Sequence, residues 1–372
     1  MKIVYLYESF VFLGGVERIL IDKMNLLSHE ADYTIYALTY NQGNHPVSYE
    51  LDSRVCHIDL AVNSHLRYRY RGLKKLWDGL KRQYLLYQRL KEQLAAIAPD
   101  VIVTTTSGNL AILNNLKGRI PLVVESHEGY DHIDALGLMT WYQRMKVYIR
   151  YRQLHHCDVI VSLTENDAKK WRKRYSRVVV IPNLVHLNPT GRLSDVSQKR
   201  VIFVGRLNDQ KGFPELMAVW RITHLRHPDW SLNLYGKGDN NQLDEITNGV
   251  NAYPPVSDVF VKFCESSILV VTSLWEPFGL VIPEAMSCGL PVISFEADGP
   301  NSIISDGEDG YIIRNRDIET FANRLCQLIE NKEQRQEMGR KAVASSQSFS
   351  AEHILPLWKQ LFESYKNSNL NI

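Results

Sequence analysis

Residues 268–295 read ILVVTSLWEPFGLVIPEAMSCGLPVISF, and the order of side chains along them decides the fold. The runs ILVVTS from Ile268 and LPVISF from Leu290 are apolar without polar alternation, the pattern of strands buried on both faces. The segment between them closes at Gly289, where a glycine suits the left-handed residue that ends a helix. A helix is expected to start near Phe278 or Gly279, with Pro283 tolerated because the first helical turn has amides without intrahelical acceptors. Strand, helix and strand in succession make a βαβ unit, which requires parallel strands.

The same alternation extends outward in both directions. Toward the C-terminus comes GYIIR from Gly310, and toward the N-terminus SLNLYG from Ser231 and RVIFVG from Arg200. Residues 186–199 contain Asn, Pro, Thr, Gly, Ser and Asp with little apolar periodicity and read as a linker. Before it lie KIVYLY from Lys2, DYTIYAL from Asp32, DVIVT from Asp100, LVVES from Leu122, DVIVSL from Asp158 and VVVIP from Val178. The expected fold class is α/β, with two Rossmann-like doubly wound domains in tandem. The bounds read as 1–185 for the first domain, 186–199 for the linker, 200–350 for the second domain and 351–372 for a C-terminal helix. Ile354, Leu355, Leu357, Trp358 and Leu361 give that helix its apolar face.

Composition narrows the function classes. With 45% hydrophobic and 23% charged residues in 372, disorder and fibrous classes are excluded. A net charge of +2 argues against a nucleic-acid partner, but residues 1–200 sit near +9 and residues 201–372 near −7, so the first half is the one suited to an anionic surface. Five scattered cysteines with no CxxC or Cys/His metal spacing read as reduced thiols of a cytoplasmic protein. Glu8 interrupts the start before any signal-like run, and no uncharged apolar stretch approaches the length that spans a bilayer.

The chemistry is concentrated in the quoted stretch. The amides of Phe278, Gly279 and Leu280, at the positive end of a helix, suit an anion, and Gly279 lets a diphosphate approach the backbone. Seven residues separate Glu276 in the loop from Glu284 on the helix. Carboxylates there repel phosphate but accept hydrogen bonds from the hydroxyls of sugar and ribose; two acids offsetting the helix dipole is the alternative. Upstream, VGRLNDQKGFPEL places Arg206 and Lys211 after a strand, two cations able to neutralise a leaving nucleoside diphosphate.

A Glu, seven residues, a second Glu, a small-residue helix and GLPVI together resemble the retaining glycosyltransferases of family four, which have the two-domain GT-B architecture facing across a cleft. Pro277 stands where that family often has Gly. The resemblance implies that Glu284 binds ribose hydroxyls, that Glu276 meets the transferred sugar near its anomeric carbon, and that Arg206 and Lys211 hold the diphosphate. It also implies donor contacts for Gly14 and Gly15 in FLGGVERIL, a sugar contact for His127 in VVESHEGYD, and a nucleobase position at Tyr253 in NAYPP. Gly236 and Gly238 in YGKGDNN resemble the family's GxG turn near the donor, and IPN at 181–183 its hinge phrase. Glu125 and Asp131, near His127, are left without a role.

The family likeness implies a UDP-sugar donor in preference to a GDP-sugar, no cofactor and no metal, and a saccharide or lipid-linked acceptor of surface polysaccharide synthesis. The donor would bind mainly to the second domain and the acceptor to the first, with cleft closure excluding water. An epimerase or hydrolase on the same fold, or a non-catalytic nucleotide-sugar-binding scaffold, are the competing readings. Finally, residues 65–94 carry nine Lys or Arg, two acids and the aromatics Tyr68, Tyr70, Trp77, Tyr84 and Tyr87, and WYQRMKVYIRYRQLHH from Trp141 is similar. Together they suit peripheral contact with an anionic membrane at the inner face of the cell; solvated outer helices with buried aromatic stripes, or a surface for an anionic polymer or lipid-diphosphate acceptor, are the alternatives.

Overall fold

All thirteen strands of the described chain are parallel, and they form two sheets. The computed structural model describes residues 1–136, 140–238 and 248–368. These divide into two units, Met1–Leu184 with the C-terminal segment from Ile354, and Val185–His353.

The first unit has the strand order β3-β2-β1-β4-β5-β6-β7. Its strands are β1 (Lys2–Tyr7), β2 (Thr34–Thr39), β3 (Cys56–Asp59), β4 (Val101–Thr105), β5 (Leu122–Ser126), β6 (Val159–Ser162) and β7 (Val178–Val180). The helices are α1 (Gly15–Ser28), α2 (Gly72–Ile97), α3 (Leu110–Leu116), α4 (Tyr130–Leu136), α5 (Trp141–Leu154) and α6 (Glu165–Arg172). Strands β4, β5 and β6 are buried along their whole length, as helices on both faces of a parallel sheet require. Strand β3, CHID, is an edge strand with no fully buried residue, so it lacks the apolar run that marks the others.

The second unit has the order β10-β9-β8-β11-β12-β13. These are β8 (Arg200–Val204), β9 (Ser231–Tyr235), β10 (Val250–Tyr253), β11 (Ile268–Val271), β12 (Val292–Phe295) and β13 (Gly310–Ile313). The helices α7 (Phe213–Arg226), α8 (Val259–Cys264), α9 (Val281–Ser287), α10 (Asp298–Ile303), α11 (Ile318–Glu330) and α12 (Lys332–Ser346) flank them. Strand β10, VNAY, is again an edge strand without a buried residue, and the sequence does not signal it.

Residues 186–199 do not run free as their composition suggests. The Ser194 N–H donates to the Cys288 carbonyl at 2.8 Å, and Val196 is buried with its carbonyl accepting from the Arg335 guanidinium at 3.0 Å. Polar composition there reflects hydrogen bonding to the second unit. The C-terminal helix α13 (Ala351–Ser368) lies with the first unit from Ile354 onward. Its Trp358 and Phe362 are buried, Phe362 edge-on to Tyr33 at 6.3 Å, and Lys359 pairs with Glu30 at 2.7 Å. Among the described residues no helix is long and apolar enough to cross a membrane.

Candidate active site

In an open parallel sheet the strand order reverses at one point, and loops leaving the carboxyl ends there diverge to open a crevice. In the second unit that point lies between β8 and β11. The loop after β8 carries Arg206 and Lys211, and the loop after β11 carries Glu276 and Gly279. The Thr272 hydroxyl donates to the Lys211 carbonyl at 2.9 Å, and the Leu274 N–H donates to the Gln210 carbonyl at 2.8 Å. Asn208 caps the short turn Asp209–Lys211 by accepting from the Lys211 N–H at 3.1 Å.

Gly212 makes this junction possible. Its φ is +65°, and a Cβ there would lie 1.8 Å from the Thr272 carbonyl oxygen. Gly212→Ala is therefore expected to cost more than about 2 kcal/mol, because both the backbone conformation and the contact with another backbone resist a side chain. Chemical denaturation of the variant beside the wild type measures it.

The two loops bring a cation and an acid into contact. Lys211 Nζ lies 2.5 Å from Glu276 Oε2, and the Ser273 hydroxyl donates to the same oxygen at 3.0 Å. Glu276 is buried, and its carbonyl accepts the Gly299 N–H at 2.9 Å. Gly279, with φ +91°, packs so closely that a Cβ would stand 3.0 Å from Glu276 Cγ. Arg206 is exposed and donates to the Gln210 side chain at 3.0 Å. Glu284 is the fourth residue of α9 and is buried.

Several expectations need correction. Helix α9 begins at Val281, not at Phe278 or Gly279. Its first backbone bond runs from the Ile282 N–H to the Gly279 carbonyl, which leaves the amides of Gly279, Leu280 and Val281 ahead of it. Pro283 and the left-handed Gly279 together delay the start. The Phe278 side chain is buried edge-on to Phe349 at 5.6 Å, so only its backbone amide stays a candidate for an anion. Tyr253 stacks on Tyr235 at 5.0 Å and lines a hollow of about 490 Å³ along the sheet face with Arg200, Asn251 and Lys262. Neither Arg206 nor Lys211 lines that hollow, and the Tyr253 carbonyl accepts the Gly236 N–H at 3.1 Å. Of YGKGDNN, residues Asp239, Asn240 and Asn241 lie outside the described residues.

In the first unit the order reverses between β1 and β4. Gly14 caps α1 in an extended conformation, its carbonyl accepting from the Tyr49 hydroxyl at 3.3 Å, and Gly15 is the helix's first residue. His127 follows β5 directly, but its side chain is only 3% exposed. Its Nε2 lies 3.1 Å from Glu125 Oε2, while Nδ1 is buried with no hydrogen-bond partner. The other Glu125 oxygen meets Lys23 Nζ at 2.5 Å, and Lys23 is sandwiched between the Tyr5 ring at 5.4 Å and the Trp358 ring at 3.7 Å. Burial works against the Glu125 carboxylate, but Lys23 and His127 overcome it and hold its pKa below the ordinary glutamate value. Burial likewise pushes the Lys23 pKa down, against the pull of Glu125. The ring is thus turned inward toward a buried acid, whereas the resemblance implies a sugar contact for it. Asp131 is exposed and paired with Lys170 at 2.5 Å.

Sequence reasoning misses Ser273, Gln210 and Lys23. Ser273 stands three residues before Glu276, a spacing that a turn closes, but nothing local signals that Lys23 reaches β5. Glu125 and His127 do share one side of an extended segment, being two residues apart.

Comparison with known proteins places these features. A profile described as Glycosyl transferases group 1 matches residues 198–331, and one described as Glycosyltransferase Family 4 matches residues 13–188. The amylovoran biosynthesis glycosyltransferase AmsD of Erwinia amylovora is 26% identical, over 97% of this chain and 99% of its own. Sucrose-phosphate synthase from Thermosynechococcus elongatus superposes with a TM-score of 0.80 at 18% identity, covering 99% of both chains. Anabaena HepE, solved in complex with UDP and glucose, gives 0.70 at 20% identity, covering 98% of this chain and 100% of its own. With two profiles spanning both units, a full-length relative, and two sheets that each reverse where the matched loops emerge, the chain belongs to the family 4, group 1 glycosyltransferases and has their GT-B fold.

Proposed function

We propose that the protein transfers a hexose-type sugar from a nucleoside-diphosphate donor, UDP in preference to GDP, with retention of anomeric configuration. The acceptor is a saccharide or lipid-linked saccharide of surface polysaccharide synthesis, and a nucleotide-sugar donor puts the reaction in the cytoplasm. The observation that carries this reading is the Lys211–Glu276–Ser273 cluster at the strand-order reversal of the second unit. The amylovoran relative supports the polysaccharide setting, and the UDP and glucose of the Anabaena neighbour support the donor class.

The cluster suggests how its residues work. Without a donor, Lys211 and Glu276 neutralise each other. An arriving diphosphate competes for Lys211, and Arg206, exposed beside it in sequence, adds a forked contact. Glu276, released from the ammonium but still held by Ser273, then has lone pairs for sugar hydroxyls. Glu284 takes the ribose, and the amides of Gly279 and Leu280 face the phosphates. The bond from the anomeric carbon to the phosphate oxygen breaks, the bond to the acceptor oxygen forms, and the acceptor proton passes to the departing phosphate. The charge that develops on that phosphate is stabilised by Arg206 and Lys211 without a metal.

The test is a thermal-shift comparison of UDP with GDP. At about 100 times the dissociation constant a bound nucleotide adds about 2.7 kcal/mol, which raises the melting point by about 5 to 10 °C in a domain of this size. UDP is expected to give that shift and GDP a smaller one. No shift with either would overturn the donor assignment, and proton NMR of the product's anomeric signal tests retention.

A further inference from the structure

Helix α2 carries two apolar stripes, and only one of them is used inside the first unit. Leu86, Leu90, Leu94 and Ile97 of its second half are buried in the core. Leu73, Leu76, Trp77, Leu80 and Tyr84 of its first half recur at the three- and four-residue spacing of one helix face, yet all are exposed, Leu73 to 78% and Trp77 to 73%. A run of that length extends about 17 Å along the helix. Among the described residues nothing covers it.

Helix α5 repeats the arrangement. Val147, Tyr151 and Leu154 face the core, while Trp141, Met145, Tyr148 and Ile149 are exposed, Trp141 to 74%. Tyr68 stands in the turn Ser64–Arg69, which packs on α2. Its ring lies 4.5 Å from the Lys75 ammonium of α2, and its hydroxyl pKa is lowered by Arg67 first and then by Lys75 and by Lys146 of α5. Both exposed stripes are surface of the first unit.

The charges interleaved with that surface are nearly all positive. Between Ser64 and Lys91 there are nine Lys or Arg and one acid, Asp78, which Arg82 neutralises at 2.6 Å; α5 has four and none. Lys74 lies 4.6 Å from the Tyr70 ring and Lys146 lies 4.4 Å from the Tyr142 ring. The core of a protein interface excludes lysine, because each ammonium would need a buried partner. A bilayer surface accepts this mixture: lysine and arginine stems lie along apolar surface while their heads reach lipid phosphate, and Trp and Tyr settle at headgroup depth.

We propose that this face of the first unit docks on an anionic lipid bilayer, with the outer stripes of α2 and α5 at headgroup depth and the surrounding lysines and arginines on lipid phosphates. The proposal is independent of the donor reading, since none of these residues belongs to the Lys211–Glu276 cluster.

The test uses the full chain and extruded vesicles of phosphatidylcholine with and without phosphatidylglycerol. The protein is expected to sediment with the phosphatidylglycerol vesicles, less so as salt rises, and its tryptophan emission to shift to shorter wavelength. Lys74→Glu with Lys75→Glu should weaken binding at least about 25-fold, each basic residue near an anionic surface being worth about fivefold. Trp77→Ser with Leu80→Ser should weaken it at least about tenfold. Both variants should keep the wild-type melting point and UDP shift, because the side chains are exposed. No sedimentation with anionic vesicles at low salt, or binding unchanged in both variants, would overturn the proposal. So would a dimer, seen by light scattering, that the variants dissociate and that binds no vesicles. Vesicle binding without a UDP shift would leave the docking surface standing and remove the donor reading.

Discussion

Replacing Glu276 by Gln is expected to lower kcat by about 10² to 10³ while leaving UDP affinity unchanged or improved, a split that follows from the Lys211–Glu276 pair. The amide keeps the size of the acid and the Ser273 contact but gives up the charge. Lys211 then needs no release from a carboxylate before it meets a diphosphate. Lys211→Ala should do the opposite for binding: UDP affinity falls by about tenfold or more, and Glu276 is left buried without its cation. Calorimetric titration of UDP beside steady-state kinetics on each variant separates the two effects. If Glu276→Gln weakened UDP as much as Lys211→Ala, the competition between carboxylate and diphosphate would be refuted.

Glu125→Ala should be the most damaging single change to the stability of the first unit, costing about 3 to 5 kcal/mol. It strands the Lys23 ammonium, only 2% exposed, between two aromatic rings, and it frees the His127 ring. Urea denaturation measures the loss, and a cost below about 1 kcal/mol would show that water reaches Lys23. Replacing both partners, Lys23→Met with Glu125→Leu, should recover most of it, since an apolar pair leaves no unpaired charge. The pH dependence carries a sign for each group. The folded-state pKa of Glu125 lies below its ordinary value, so its stabilisation is complete above the unfolded pKa and is lost as pH falls through the folded one. The folded-state pKa of Lys23 is also depressed, so between it and the ordinary lysine value the unfolded chain holds more protons and stability rises with pH. Without Glu125 that second window reaches lower, so the variant's stability should begin to rise with pH at a lower pH than the wild type's.

The legibility of the fold followed burial. Strands β4, β5, β6, β11 and β12 are enclosed by helices, so every position is buried and the apolar run that opens each one announces it. Strands β3 and β10 sit at sheet edges with partly solvated side chains, and CHID and VNAY carry no such mark although their backbones pair as regularly. Composition suggests a start for α9 near Phe278 or Gly279, but the left-handed backbone at Gly279 and the missing N–H of Pro283 set it at Val281.

The sequence alone determined the parallel α/β architecture and which loops hold the charged groups, because periodicity, glycine placement and the spacing of Glu276 and Glu284 are local properties of a chain. Only the tertiary structure decided which of those charges meet. Lys211 reaches Glu276 because β8 and β11 are neighbours although 63 residues lie between Val204 and Ile268, and Lys23 of α1 reaches Glu125 of β5 across a sequence separation of 102. Such pairings depend on strand order and on helix packing, and a buried ion pair forms only where both partners are enclosed together, which no local pattern of side chains records.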